Sequence, residues 1–582
     1  MVISRSKYIV LLLVMIPSTL FSQGTQENRL TREVKLYNPF KPFLSKENKI
    51  NFFPDMNDTT VIEPEFQYSI TTRSFMPEIK VKVISAARLQ PDPLPKLYKG
   101  YLNVGFGNYF TPIGELSVTT ERSRDNIMGF YAGHMSSFGK VKLDNNENVH
   151  AGYMDNTAKL FVTKLFRRTA LKANLGFDHV RRTAYGYDLG IITPPDTRKD
   201  SLQIDYLNPS AKINFYSNRL DSSRMAYDAK IYYDLLYQTA DHFQHMAGLE
   251  FSAGFDLKMF YGSATAGYEY YSFPDMIDSK PRHLVKFEPS INKITRAYAF
   301  RIGLKAITDS RNEYDELLPP EYKTNFYLYP DIRFQFKIIP SFVSFFVSLD
   351  GYHDNNQAAS VIYKNPYVVI EATDGQILPS TDLYRIKPTD NKLRVMGGLL
   401  GSANESSTYK LVASYTLFED MLFFGNDLIN GRGFMPLYDN GELLNIKGEA
   451  TVRLNSKLKL SATGNYFSYS MEVFEHPWYK PDWDAKISLS YNLRNKVLAD
   501  AEFNGMGTRY ARYGPMPYSI LTEPTVEELP VYFSLNLGVE YRYTKILSFW
   551  TRLQNISFNR YYEWNFYPSQ RFLFIAGFSY SL

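Results

Sequence analysis

Residues 571–582 read RFLFIAGFSYSL. Phe572, Phe574, Ala576, Phe578, Tyr580 and Leu582 share one parity; Arg571, Gly577, Ser579 and Ser581 share the other, with Leu573 and Ile575 as exceptions. Successive side chains of a strand face opposite ways, so the stretch predicts a ribbon with one aromatic face and one small, polar face. At the end of a soluble chain such a strand exposes aromatic surface and an unpaired edge, whereas a transmembrane β-barrel needs one to close its ring. The fold it predicts is all-β, a transmembrane antiparallel β-barrel.

The same alternation recurs upstream. Leu102, Val104 and Phe106 alternate with Asn103, Gly105 and Gly107; Ile332, Phe334, Phe336 and Ile338 alternate with Arg333, Gln335 and Lys337. Val531, Phe533, Leu535, Leu537, Val539, Tyr541 and Tyr543 alternate with Ser534, Asn536, Gly538, Glu540 and Arg542. Runs of about 9–13 residues are longer than ordinary strands and match the ~9–11 that cross a bilayer at a tilt. Lys, Asp, Arg and Glu on the second parity exclude a dry interior and predict a wide, wet or plugged lumen. Tight turns are expected at 166–168, 339–341, 455–456, 494–496 and 544–545, and long polar loops at 182–203, 308–325, 352–390, 470–483 and 509–529. Short periplasmic turns and long outer loops are the barrel pattern. The roughly 485 residues from Tyr98 onward suit about 22 strands, with 16–18 the alternative.

Composition agrees. Tyr 46 and Phe 42 make the chain 16% aromatic, as interfacial girdles require. The mean hydropathy of -0.30 is ordinary for a wall that alternates lipid-facing and lumen-facing residues. A net charge of +5 without a clustered basic stripe gives no sign of a nucleic-acid partner. Cys is 0, which excludes disulfides, thiolate metal sites and a cysteine nucleophile. Residues 1–22 read as a secretory signal, with Arg5 and Lys7 before the apolar run Tyr8 to Ile16. Residues 23–96 are Pro-rich, with Pro91, Pro93 and Pro95 blocking regular ladder pairing. They are expected to form an extended periplasmic arm, partly inside the barrel of residues 97–582.

Two stretches carry a family resemblance. LNLGVEYRYTKILSFWTRLQNISFNRYYEWNFYPSQRFLFIAGFSYSL, residues 535–582, resembles the closing hairpins of TonB-dependent receptor barrels, and KGYLNVGFGNYFTPIGE, residues 99–115, is similar to a first barrel strand in such proteins. The resemblance implies an outer-membrane barrel that binds or passes a solute, with no enzyme activity and no cofactor. The chain departs from that family at Leu582, where Phe or Trp is usual, and in the roughly 75 residues before the barrel, too few for the family's plug. The plug is therefore expected to be shortened or absent. The alternative is a non-transporting structural subunit of an outer-membrane complex, blocked by its arm and offering its loops to other envelope proteins. Partners implied are outer-membrane lipid, an unknown solute, and the barrel-assembly machinery, which would read Phe574, Phe578, Tyr580 and Leu582.

Candidate chemistry is sparse. Trp478, Tyr479 and Trp483, interleaved with Glu475, Lys480 and Asp482, form the most ligand-like loop: exposed aromatics would stack on a ligand or partner, and an aromatic girdle would explain the same residues. His242 and His245 lie three apart, which puts them on opposite faces of a strand, and Asp144 to Glu147 lacks the spacing of a calcium loop. No metal is expected at either. His134 beside Ser136 and Ser137 lacks a nucleophile elbow, so no catalytic residue is expected. Gly105 and Gly107 read as sites of curvature or close approach.

Overall fold

The computed structural model describes residues 98–582 except 121–122, 124, 190–201, 218–224, 239–241, 273–279, 316–317, 341, 369–385, 405, 427–431 and 514–524. The signal and the arm, 1–96, lie outside the described residues. From Gly100 the chain runs up and down through a closed sheet of 22 antiparallel strands. Closure is made by the strand that opened the sequence reading: Leu573–Ser581 pairs with Gly100–Gly107 from Tyr101↔Ser581 to Gly107↔Ile575. Its other neighbour is Leu547–Gln554.

The two parities separate as the alternation predicts. Along Tyr532–Arg542, Phe533, Leu535, Leu537, Val539 and Tyr541 are all exposed on the outer face, and Ile231 on its own strand is 64% exposed. In water this would be a large apolar liability; around a barrel it is the lipid-facing band. No helix among the described residues is long and apolar enough to cross a membrane, so the strands do the crossing. The inner face is a lattice of charged pairs. Lys230 and Arg394 meet the carboxylates of Glu250 and Asp350 directly across the ladder at 2.6–2.7 Å. Asp309, 0% exposed, accepts from Nε and Nη2 of Arg282, at 2.7 and 2.8 Å, and from Arg311 at 3.0 Å. Cross-strand pairing of this kind lets an inward wall carry these charges without leaving them desolvated and alone.

The parity exceptions also have a reason. Leu573 and Ile575 point inward and are buried with Ile113, against Tyr109, Met135 and Trp550. This small apolar patch lines the seam from inside. A Cβ at Gly105 would meet the Trp550 ring at 2.5 Å, and one at Gly107 would meet the Phe574 carbonyl oxygen at 2.5 Å. The two glycines therefore permit close approach, as expected.

Connections divide by end. Those at the end holding Gly100 and Leu582 are two to eight residues long, whereas at the other end 355–388 and 507–531 are far longer. All five expected tight turns fall at the short end, which is the periplasmic one. One expected loop does not exist as a loop. Tyr298–Asp315 and Leu318–Ile339 pair almost to their tips, ending at Asp315↔Leu318, so 308–325 is mostly a two-stranded ribbon. Above the membrane both faces of a ribbon are wet, so apolar alternation stops while the ladder continues. Polar rungs such as Ser310 with Thr324, hydroxyls 2.9 Å apart, support it. The wall is consequently uneven: 8 or 9 residues per strand at the seam, and 18 and 22 in that ribbon.

Candidate functional site

The outer mouth is where the chain departs from simple alternation. It is unusually aromatic: Phe423, Phe424 and Phe434, from the outer ends of the paired strands Ser407–Asn426 and Phe434–Arg453, join Trp478, Tyr479, Trp564 and Tyr567 from the loops in one buried apolar core. Loops from most of the circumference contribute, including the hairpin Lys140–Lys142 with Asn148–His150, the strands Arg509–Tyr513 and Thr525–Leu529, and the helix Ala358–Lys364. Phe434 sits at the centre, with ring centroids 5.1 Å from Trp564, 5.6 Å from Tyr479 and 5.9 Å from Tyr567. Each such ring hides about 150–250 Å² of surface, so loops that lack a ladder gain a core instead.

Hydroxyl and backbone groups fix how the loops sit. The Tyr479 hydroxyl donates to Asn426 Oδ1 at 2.6 Å, Tyr185 to the Pro568 carbonyl at 2.9 Å, and Tyr206 to the Pro366 carbonyl at 3.0 Å. Burial raises the Tyr479 and Tyr567 hydroxyls well above the usual tyrosine range, which keeps them as donors. The stretch 355–368 spans the mouth. Pro366 meets Tyr206 on one side, Tyr367 stacks on Tyr567 at 4.1 Å on another, and Gln357 donates to Tyr271 on a third.

The residues singled out in the sequence divide accordingly. Trp478 and Tyr479 are 3% and 7% exposed. The expectation of an exposed stacking surface is corrected for these two, because their faces are already covered by Phe474, His476, Phe434 and Trp564. Trp483 stands apart, half-buried at the start of Trp483–Leu493, with its ring 6.1 Å from Phe533 on the outward parity, as a girdle residue would. Lys480, next to Tyr479, keeps partial exposure, yet burial around its amine and the nearby Lys364 push it down to about 8. Asp144 accepts from Arg560 at 2.8 Å and from the Tyr562 hydroxyl, and Glu147 accepts from Tyr187 at 2.9 Å, so these carboxylates tie loops together. His245 Nδ1 lies 2.8 Å from the Tyr233 hydroxyl; the side chain of His242 lies outside the described residues. Among the described residues no three His, Asp or Glu side chains converge as a metal site would. His134 Nε2 is 3.0 Å from Ser136 Oγ, but that serine is fully buried. Phe574, Phe578 and Leu582 face outward on the closing strand, and Tyr580 is half-buried.

Beneath the loop core lies a cavity of about 610 Å³. Its lining mixes hydroxyls, amides and charges: Tyr153, Arg182, Lys364, Tyr532, Asn536 and Gln570 among others. Tyr363 projects into it from the helix, 88% exposed. Arg182 is held by Asp155 at 2.8 Å, and the Tyr532 and Tyr561 rings are stacked 4.3 Å apart. Convergent polar groups in a concave space are what a solute-binding site needs. Sequence reading did not single out Tyr367, Phe434, Trp564 or Tyr567. The signal available for the last two was the aromatic density of YYEWNFYP, residues 561–568, inside a connection that would ordinarily be polar.

A closed ring of 22 strands with long outer loops and a terminal closing strand has close structural counterparts. The fold is that of a TonB-dependent receptor barrel. The ferric-catecholate import receptor Fiu of E. coli K12 superposes with a TM-score of 0.59 at 10% identity, covering 84% of this chain and 82% of that one. The copper transporter OprC gives 0.61 at 11% identity, and the siderophore receptor PirA of Acinetobacter baumannii gives 0.62 at 9%, each covering 84% of this chain and 82% and 81% of theirs. No protein-family model and no curated protein sequence matches the chain. At this identity the likeness is one of fold, and the closed barrel with its lipid-facing apolar band is an outer-membrane architecture. These neighbours are an import receptor, a copper transporter and a siderophore receptor.

Proposed function

We propose that this barrel binds a solute at its outer end and passes it across the outer membrane. The observation that carries the reading is the cavity beneath the loop core, about 610 Å³ and lined by tyrosine hydroxyls, amides and charged groups. Such a lining suits a polar solute better than an apolar one, because each buried polar group of a bound molecule needs a partner. The receptor-like fold supports the same reading, and the neighbours' own cargoes, iron siderophores and copper, are not carried over. Outer-membrane lipid surrounds the barrel, and the aromatic face of Phe574, Phe578, Tyr580 and Leu582 serves as the signal for the assembly machinery.

Conductance in planar bilayers tests it. The full chain and a variant deleted for residues 23–90 are compared, with the expectation that at least the deleted form conducts. Absence of conductance in both would remove the passage reading. The alternative, a structural subunit that presents its loops to envelope proteins, is favoured by one feature, the stretch 355–368 lying across the mouth. Stable co-purification with another envelope protein in mild detergent, together with zero conductance, would select it.

A further inference from the structure

The periplasmic rim carries a charge pattern that solute passage does not use. Six of its turns hold at least one cation and no carboxylate: 166–168, 258–259, 295–297, 454–457, 494–496 and 543–546. Most of these turns also have a large apolar side chain exposed at or beside them. Phe166 stands beside Arg167 and Arg168, Met259 beside Lys258, Leu454 near Lys457, and Tyr543 near Lys545. A cation paired with an exposed apolar neighbour, repeated around a ring, is the arrangement of side chains that keep their stems in hydrocarbon and their charges at the headgroups.

One sector is built out furthest. Lys293 lies on the outward parity of Arg282–Ile294, the face that also exposes Val285, Phe287 and Ile291. Its ammonium stands 5.2 Å over the ring of Phe260, and Phe260, Phe300 and Phe334 continue along the outer wall with centroids 6.1 Å apart at each step. In the adjacent turn Lys258 adopts φ 52°, a left-handed conformation that a non-glycine residue rarely takes. A cavity of about 770 Å³ opens inside this sector of the rim, lined chiefly by the inward-parity Asp256, Tyr261, Asn292, Arg301, Arg333 and Gln335, with Lys258 and Lys293 at its outer border. Asp331 already holds Arg301 at 2.6 Å.

We propose that this rim, centred on Lys258 and Lys293, binds anionic phospholipid through its phosphodiester headgroup. The aromatic wall beneath the cations accepts the acyl chains, and the cations take the phosphate. An acidic protein segment would match the charge, but not the row of outward phenyl rings that continues directly from it. Each cation near an anionic surface adds to the attraction, so a ring of them sets an appreciable preference.

The test uses the full chain reconstituted into phosphatidylcholine vesicles, with and without phosphatidylglycerol, and reads the temperature at which the heat-modifiable gel shift is lost. The expected result is a transition several degrees higher with phosphatidylglycerol, which high salt removes because the charges are exposed. In Lys258→Gln/Lys293→Gln the rise is expected to shrink by at least half, while the transition in pure phosphatidylcholine is unchanged. An equal rise in the variant, or no rise in the native chain, would overturn the proposal. So would the same rise in phosphatidylcholine on adding inorganic phosphate or polyglutamate, since either would make this a general anion or acidic-protein site. If the double variant fails to assemble, each single variant is compared by native mass spectrometry for retained phosphatidylglycerol, and retention equal to the native chain would also overturn it.

Discussion

The wall and the mouth of this barrel solve the same problem in opposite ways. In the wall neighbouring strands pair the backbone, so side chains need only choose lipid or lumen, and alternation suffices. At the mouth most connections lack a ladder, and they are held by rings from distant parts of the sequence meeting in one core, with Phe434, at the end of its strand, against Trp564, Tyr479 and Tyr567. The wall is therefore tolerant inside and intolerant outside, while the mouth is intolerant at its centre. Local order is enough for one and useless for the other.

The sharpest way to break that contrast is Phe434→Ala. The side chain is 0% exposed, so its loss is expected to cost the loop core about 3–5 kcal/mol. The expected readout is faster chymotryptic nicking of the outer loops with the heat-modifiable barrel intact. A barrel that melts together with its loops would show that mouth and wall are one cooperative unit. Next in size is Leu535→Arg on the lipid face, expected to cost ~2–4 kcal/mol near the midplane. Ser490→Arg, inward and opposite Asp500, is expected to be tolerated. Equal damage from the two, read as assembled fraction on gels, would mean the faces are misassigned.

At the seam, Gly577→Val would drive its new side chain into the Val104 carbonyl and the Trp550 ring. Overpacking of this kind costs about 1–3 kcal/mol, measured as a lower transition temperature of the gel shift. A normal transition would show that the seam can widen freely.

The smallest expected effect is on pH. Lys480 titrates at about 8 in the folded loop and near ~10.4 unfolded, so between those values the unfolded chain holds the extra proton and stability rises with pH. The hydroxyls of Tyr185, Tyr479 and Tyr567 are raised by burial. Above ~10 the folded state then holds the extra protons, and stability falls. Loop nicking rates should pass through a minimum between these limits, and Lys480→Met should abolish the approach to it while leaving the alkaline loss. A minimum that persists in Lys480→Met would assign it to another group.

How legible each part was follows from the range of the interaction that makes it. The seam was read from RFLFIAGFSYSL because strand facing is set by the residue next door, and even the exceptions Leu573 and Ile575 pointed to inward contacts. The ribbon 308–325 was misread because alternation reports the contrast between lipid and water, and above the membrane that contrast vanishes while the ladder does not. Trp478 and Tyr479 were misread for another reason. An aromatic loop residue looks the same in sequence whether its face is open or covered; here Tyr479 is covered by residues 434 and 564, and Trp478 by Phe474 and His476 of its own loop.

By itself, then, the sequence determined the class of fold, the approximate strand number, the two faces of the wall and the closing strand, all of which rest on period-two alternation between neighbours. Only the tertiary structure decided that 355–368 crosses the mouth, that the loop aromatics face one another, and that a polar cavity lies beneath them. Those depend on contacts between residues hundreds of positions apart, such as Tyr185 with Pro568, which no local pattern encodes.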